Sequence, residues 1–299
     1  LIPDEAQCRI FNNKSDAYDL ADNLGIPVAE RISYSDPTKI AKILNKAGLE
    51  KTVIKLLTGN SGKGVFYGEN AEHTQSIVEQ LVEQYGLDEK RFPQVERYVE
   101  GEGYGCSVLY WKGEHIAQFT HKRLRDKIVT GGTSTFREVS VHEGIEAATK
   151  VIFDAIGWNG LAMCEFKVCP KTGAFWFIEV NPRLWGSISL AIESGVEFPY
   201  LAWLCASKGP LDAIKYHANT KIAGKWKARW LLGDVFLVCG HLSKLNFKAA
   251  WGILGEDRAN SIDDFFWDDP LVFLGEVLAY LKATISKRST NPSEKGMLG

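Results

Sequence analysis

The stretch TVIKLLTGNSGKGVFY, residues 52–67, decides how the rest of the chain is read. A β-rich run containing Lys55 leads into a glycine-rich turn containing Lys63, and a second β-rich run follows. A Walker A loop, G-x-x-x-x-G-K-[ST], opens a helix whose N-terminus cradles phosphate. Gly59 and Gly64 have that spacing, but Val65 and Phe66 stand where lysine and a hydroxyl belong, and a strand-like run continues. A Rossmann turn fails for the same reason. A protein-kinase loop, G-x-G-x-x-G, precedes its strand lysine; here the glycines read G-x-x-G-x-G and Lys55 lies upstream. With these three excluded, the stretch is either a hairpin turn that needs glycine for its backbone or the lid of a different nucleotide site.

A second constellation, MCEFKVCPKTGAFWFIEVNPR (163–183), bears on that choice. It reads as two strands joined through CPKTG. Glu179 and Asn181 lie two apart and share a face, and Glu165 sits on the partner strand. Two carboxylates and an amide oxygen form a hard, all-oxygen set suited to Mg²⁺, which commonly also takes substrate phosphates. An even register would set Glu165 opposite Ile178, so a shared site requires an odd loop or a bulge. Otherwise both glutamates are solvent-facing strand residues. Arg183, just beyond, offers a planar fork for an acyl phosphate or carboxylate, or forms a structural ion pair.

The chain has 299 residues, a formal net charge of −2, 45% hydrophobic and 24% charged residues. That length allows two lobes, at roughly 150 residues per domain, and the charge gives no electrostatic case for nucleic acid. Six scattered cysteines without a Cys-x-x-Cys pair read as reduced thiols of a cytoplasmic protein. The longest apolar runs, 230–240 and 271–285, carry charges and fall short of a span of about 20 residues. The chain begins with Leu1 rather than methionine, so it reads as a piece of something longer.

Caps and periodicity predict helices over 12–25, 35–48, 71–85 and 143–157, and strands over 52–57, 65–67 and 93–99. A hairpin spans 103–124 and turns at Lys112–Gly113. From about 188 the chain reads as mostly helical, and its last residues have the composition of a disordered tail. The pattern is α+β, without the regular rhythm of a doubly wound sheet.

Taken in order, NNKSDAYDLADNLGIPV, VIKLLTGNSGKGV, VERYVEGEGYG, HKRLRD, GGTST, MCEFK and FIEVNPRLWGS closely resemble the ATP-grasp superfamily. The branch is that of carbamoyl-phosphate synthase large subunits and carboxylate–amine ligases, and the likeness covers roughly residues 1–205. It implies an ATP-grasp fold, two α+β lobes sandwiching ATP, followed by a mostly helical C-terminal region. The expected division is an opening segment and helix over 1–25, left from a central domain, and a small lobe with the lid over 26–95. A large lobe with the metal site over 96–208, a helical region over 209–286 and a disordered tail over 287–299 complete it.

The resemblance also implies roles. Lys14 and Lys55 contact ATP phosphates, and Gly59, Ser61, Gly62, Lys63 and Gly64 form a mobile lid, poorly ordered without nucleotide. Glu96, Arg97, Tyr98 and Val99 form the linker whose backbone holds adenine. Glu102, or else Glu100, takes the ribose. Glu165, Glu179 and Asn181 hold Mg²⁺, two ions in all, with Mn²⁺ as a substitute. Arg183 faces the reacting phosphoryl group, with Lys55 as its catalytic companion. Arg123, Arg125 and Arg137 are candidate substrate contacts, or solvated basic edges. The implied reaction is ATP-dependent activation of a carboxylate as an acyl phosphate, which an amine then attacks. The alternatives are a non-catalytic ATP-binding module of a larger assembly and a carbamoyl-phosphate or bicarbonate-type enzyme. Family members commonly carry an N-terminal α/β domain before the first of these motifs, so one is expected in the full-length protein, and a homodimer is an expected assembly. Finally, the lysines of 221–251 interleave with Trp226, Trp230 and Trp251. That segment either lies on a membrane surface or docks a partner, or is a core helix with snorkelling lysines.

Overall fold

The computed structural model describes residues 1–58, 64–126, 134–255 and 258–285. Two sheets dominate, antiparallel except for a parallel β10–β11 pair at the edge of the larger one. The smaller sheet contains Arg31–Ile32 (β1), Thr52–Lys55 (β2), Val65–Gly68 (β3) and Gln94–Arg97 (β4), in the order β1-β4-β2-β3. Helices Ile40–Ala47 and Ala71–Tyr85 cover one face and bury Ile40, Leu44, Val78 and Leu81 against Ile54 and Val95. Asn70 caps the longer helix by accepting from the His73 amide, satisfying one of its orphan donors. Gly48 and Gly86 stop both helices in the left-handed conformation.

The larger sheet has seven strands. They are Glu102–Trp111 (β5), Glu114–Asp126 (β6), Ser134–Val139 (β7), Gly160–Val168 (β8), Phe175–Asn181 (β9), Lys227–Arg229 (β10) and Ser261–Ile262 (β11). Their order is β11-β10-β7-β6-β5-β8-β9. β5 and β6 turn at Lys112 (φ 50°) and Gly113 (φ 85°), the paired left-handed residues that a tight hairpin requires. Alternation along β5 and β8 sends Cys106, Val108, Cys164 and Phe166 to one face, under helices Lys14–Asn23 and Glu143–Ala155. Leu109 and Met163 go to the other, under helices Ile188–Glu193 and Phe198–Ser207.

Several expectations change. The predicted helix over 12–25 is Lys14–Asn23, started by the Asn13 side chain on the Ser15 amide, and a helix that was not foreseen, Glu5–Asn12, opened by an Asp4–Gln7 capping box, precedes it. The first predicted strand ends at Lys55 rather than 57. β7 was not foreseen, and the C-terminal region, expected to be helical, adds β10 and β11 to the large sheet. Both strands are too short to carry an alternating pattern; they exist because β7 would otherwise end the sheet with unpaired backbone groups. The lid residues 59–63, the first part of the glycine loop at 130–133 and the tail lie outside the described residues. So does the expectation of a poorly ordered lid.

Candidate active site

β8 and β9 settle the register. Glu165 pairs with Glu179 and Met163 with Asn181, whereas Phe166 pairs with Phe177. Ile178 is therefore a bulged residue, and the two carboxylates share a face because of it. That face also carries His121 and Arg123 of β6. Arg123 Nη2 contacts Glu165 Oε1 at 2.7 Å, and Asn181 Nδ2 donates to the same oxygen at 2.9 Å. Arg183 Nη2 reaches Asn181 Oδ1 at 3.4 Å, and its Nη1 donates to the Leu184 carbonyl at 3.0 Å.

The segment leading into β1 runs along the outer edge of β9. Val28 bridges to Phe177, and the Phe177 amide donates to the Pro27 carbonyl at 2.8 Å. The helix that begins at Lys14 is tied to the end of β2 by the Lys14 amide donating to the Leu57 carbonyl at 2.9 Å. Lys14 and Lys55 are 7% and 4% exposed, so both ammonium groups are taken from bulk water and need partners. Lys55 Nζ lies 2.5 Å from Glu96 Oε1 and donates to Tyr18 Oη at 2.8 Å. Gln94 Nε2 donates to the other Glu96 oxygen at 3.0 Å.

The charges shift one another accordingly. Burial pushes the Glu179 carboxyl up from its ordinary value, and Glu165 pushes the same way against Lys14, Lys55 and Arg123. Burial pulls the Lys14 ammonium down, with Glu179 opposing and Lys55 adding to the fall. Burial alone would lower Lys55 as well, but Tyr18 and Glu96 beside it raise it above the ordinary lysine value. Two lysine charges thus act on a carboxylate whose neighbour is a second carboxylate, a mixture of charges suited to phosphate oxygens together with a cation.

A metal fits on these grounds. Among the described residues no three His, Cys, Asp or Glu side chains are grouped to hold an ion. Two glutamates and an asparagine are nevertheless a set that Mg²⁺ accepts when phosphate oxygens complete its shell. The unfavourable Glu165–Glu179 proximity is what a bound cation would relieve.

The other expected residues are distributed differently. The Arg97 and Tyr98 amides are already bonded to the Glu30 and Lys51 carbonyls, so they are not donors for adenine. The Glu96 side chain points inward to Lys55, while Arg97 points outward to Glu30. A cavity of about 470 Å³ beside the linker is lined by Lys51, Arg97, Tyr98 and Glu100, on the outer side from Glu96. Glu102 contacts Lys122 Nζ at 2.8 Å. Gly64 closes the base of the lid, its carbonyl accepting from the Leu56 amide at 2.8 Å.

Of the three candidate substrate arginines, Arg123 lies with the carboxylates. Arg125 and Arg137 pair with carboxylates of the C-terminal region, Arg137 from a position opposite Arg123 in the sheet. Arg125 pairs with Asp234 at 2.7 Å and Arg137 with Asp263. A register shift between Arg123 and Arg125 separates these roles along one strand.

Two contributors escaped the sequence reading. Tyr18 lies four residues after Lys14, hence on the same helical face, which was a usable signal. Asp126, whose carboxyl burial raises against the pull of Arg123 and Lys167, left no local signal, because only the fold brings Lys167 beside it.

Comparisons with known proteins identify the fold that carries this site. A family model for the ATP-grasp domain matches residues 11–187. The carbamoyl phosphate synthase large chain of Thermotoga neapolitana is 28% identical over 220 residues, 71% of this chain and 18% of that one. The chain thus spans about a fifth of the length of the curated relatives it matches. Among solved structures, pyruvate carboxylase of Rhizobium etli superposes with a TM-score of 0.61 at 19% identity, over 75% of this chain and 21% of that one. The biotin carboxylase domain of Hydrogenobacter thermophilus 2-oxoglutarate carboxylase, in complex with MgADP and bicarbonate, gives 0.55 at 16% identity, over 74% and 48%. At these identities the structures establish the fold.

Proposed function

The chain belongs to the ATP-grasp family, and from that premise we propose that it is an ATP-dependent ligase that activates a carboxylate as an acyl phosphate and joins it to an amine. The observation that carries the proposal is the pairing of Glu165 with Glu179 across β8 and β9, with the charges of Lys14 and Lys55 near enough to oppose the rise of the Glu179 pKa. Residues 26–95 and 96–208 act as two lobes closing on the nucleotide. Lys14 and Lys55 neutralise its phosphates, and Arg123 and Asn181 fix the Glu165 carboxylate. Glu165, Glu179 and Asn181 would hold Mg²⁺, which supplies charge neutralisation at the phosphate oxygens. Arg183, on a short exposed turn, is placed to grip the transferring phosphoryl group through its fork. The glycines of 59–64 let backbone amides approach the phosphates and exclude water from the acyl phosphate. Glu96 or Val99 backbone groups, rather than the Arg97 and Tyr98 amides, meet the adenine, and Glu102 exchanges Lys122 for the ribose.

The test is a screen for ADP and phosphate release over amino acids and small carboxylates, with Glu179→Gln as the background. Release that requires both a carboxylate and an amine, and vanishes in the variant, is the expected result. No substrate pair above that background refutes the reading. Bicarbonate belongs in the screen because the chain's sequence relatives include carbamoyl phosphate synthase large chains; release with bicarbonate alone would favour that chemistry.

A further inference from the structure

Helices Leu231–Ser243 and Phe247–Gly255 form a hairpin whose turn contains Leu245 at φ 57°. Among the described residues only Lys112 and Leu245 are non-glycine residues with positive φ. Lys112 is accounted for by its tight strand turn. Leu245 occupies a position where glycine or asparagine would be unstrained, and its side chain is 75% exposed, so no packing within the chain offsets the strain. Around it, Leu242, Phe247 and Trp251 are also exposed, Trp251 at 76%. Lys244 and Lys248 are exposed among them, and between Val235 and Gly255 the sequence has no acidic residue. A strained, bare leucine at the tip of an apolar hairpin edged only by cations is an unpartnered surface with a definite charge.

We propose that this hairpin tip binds an anionic lipid surface, with Leu245, Phe247 and Trp251 entering the headgroup boundary and Lys244 and Lys248 meeting lipid phosphates. The charge pattern selects this occupant: lysines without carboxylates complement an anionic bilayer, and tryptophan favours the interface. The two helices, of 13 and 9 residues, are too short to cross, so the hairpin lies on the membrane. Among the described residues no helix is long and apolar enough to span. The neighbouring exposed Trp267 is excluded from the surface because Asp268 and Asp269, also exposed, follow it.

The whole chain is sedimented with vesicles of equimolar phosphatidylcholine and phosphatidylglycerol, and with phosphatidylcholine alone, at 50 mM and 500 mM salt. Binding should require phosphatidylglycerol and weaken in high salt. Lys244→Ala with Lys248→Ala should reduce affinity about 30-fold, from about 1 kcal/mol per lysine at an anionic surface. Leu245→Gly should also reduce binding without lowering Tm, because it removes the wedge while relaxing the turn; the Tm reading separates this from misfolding. Absence of binding to anionic vesicles at 50 mM salt overturns the proposal. So does undiminished binding by Leu245→Gly and Trp251→Ala. A concentration-dependent dimer abolished by those variants would overturn it in favour of a second copy of the chain.

Discussion

Replacing Lys55 with methionine keeps most of the stem but removes the ammonium that Glu96 faces at 2.5 Å. Glu96 is 2% exposed, so its charge stays buried with the Gln94 hydrogen bond in support. Orphaning one partner of a buried pair costs about 3–5 kcal/mol. The retained Gln94 bond, together with the ability of a lone buried carboxylate to take up a proton, places the expected loss near the lower end of that range. Adding Glu96→Gln removes the stranded charge, and the double variant should return to within about 1 kcal/mol of the parent. Denaturant unfolding of the four proteins closes the cycle. Nucleotide binding, followed by calorimetry with MgATP, should behave differently. The double variant, though stable, lacks a charged hydrogen bond to phosphate worth about 1.5–3 kcal/mol, a loss of about 10–150-fold in affinity. A loss below about 1 kcal/mol for Lys55→Met, or no recovery in the double variant, refutes the buried-pair account. Undiminished MgATP affinity in the stable double variant refutes the phosphate role of Lys55.

Glu179→Gln should raise the stability of the nucleotide-free chain at pH 7 while abolishing Mg²⁺-dependent nucleotide binding. The folded-state pKa of Glu179 lies above its unfolded value, so its favourable contribution is present below the unfolded pKa, near 4.3, and is lost as pH rises through the folded one. The variant's gain should therefore shrink in acid, and a gain independent of pH would contradict the assignment. His121 behaves in the opposite sense: burial first, then Arg123 and Arg137, hold it well below its usual pKa. It stays neutral in the fold, so stability is lost as pH falls below the unfolded value of about 6.5, by about 1.4 kcal/mol per pH unit. Unfolding midpoints at pH 7.0 and 5.5 should differ less in His121→Gln than in the parent; identical pH slopes would rule out His121 as the source.

The two-unit α+β reading and most of the residues around the carboxylates were legible in the sequence because their signals are local. Lys55 precedes a glycine turn, Glu179 and Asn181 have strand spacing, and Gly48 marks a helix end. That a shared Glu165–Glu179 face requires an odd loop or a bulge was also legible, since side-chain alternation sets Glu165 opposite Ile178 in an even register. Which residue bulges was not, and neither was the division of labour among the arginines. Arg123, Arg125 and Arg137 belong to one basic pattern. A shifted register separates Arg123, with Glu165, from Arg125, with Asp234, while Arg137, opposite Arg123 on β7, pairs with Asp263; both aspartates lie more than a hundred residues later in the chain. Local sequence was enough to specify the kinds of groups available and their spacing along each strand. Tertiary structure alone decided which charges meet, because burial makes an unpaired charge costly and the partners that satisfy it come from distant segments. The pairing of Lys55 with Glu96 and the bare hairpin around Leu245 are of that second kind.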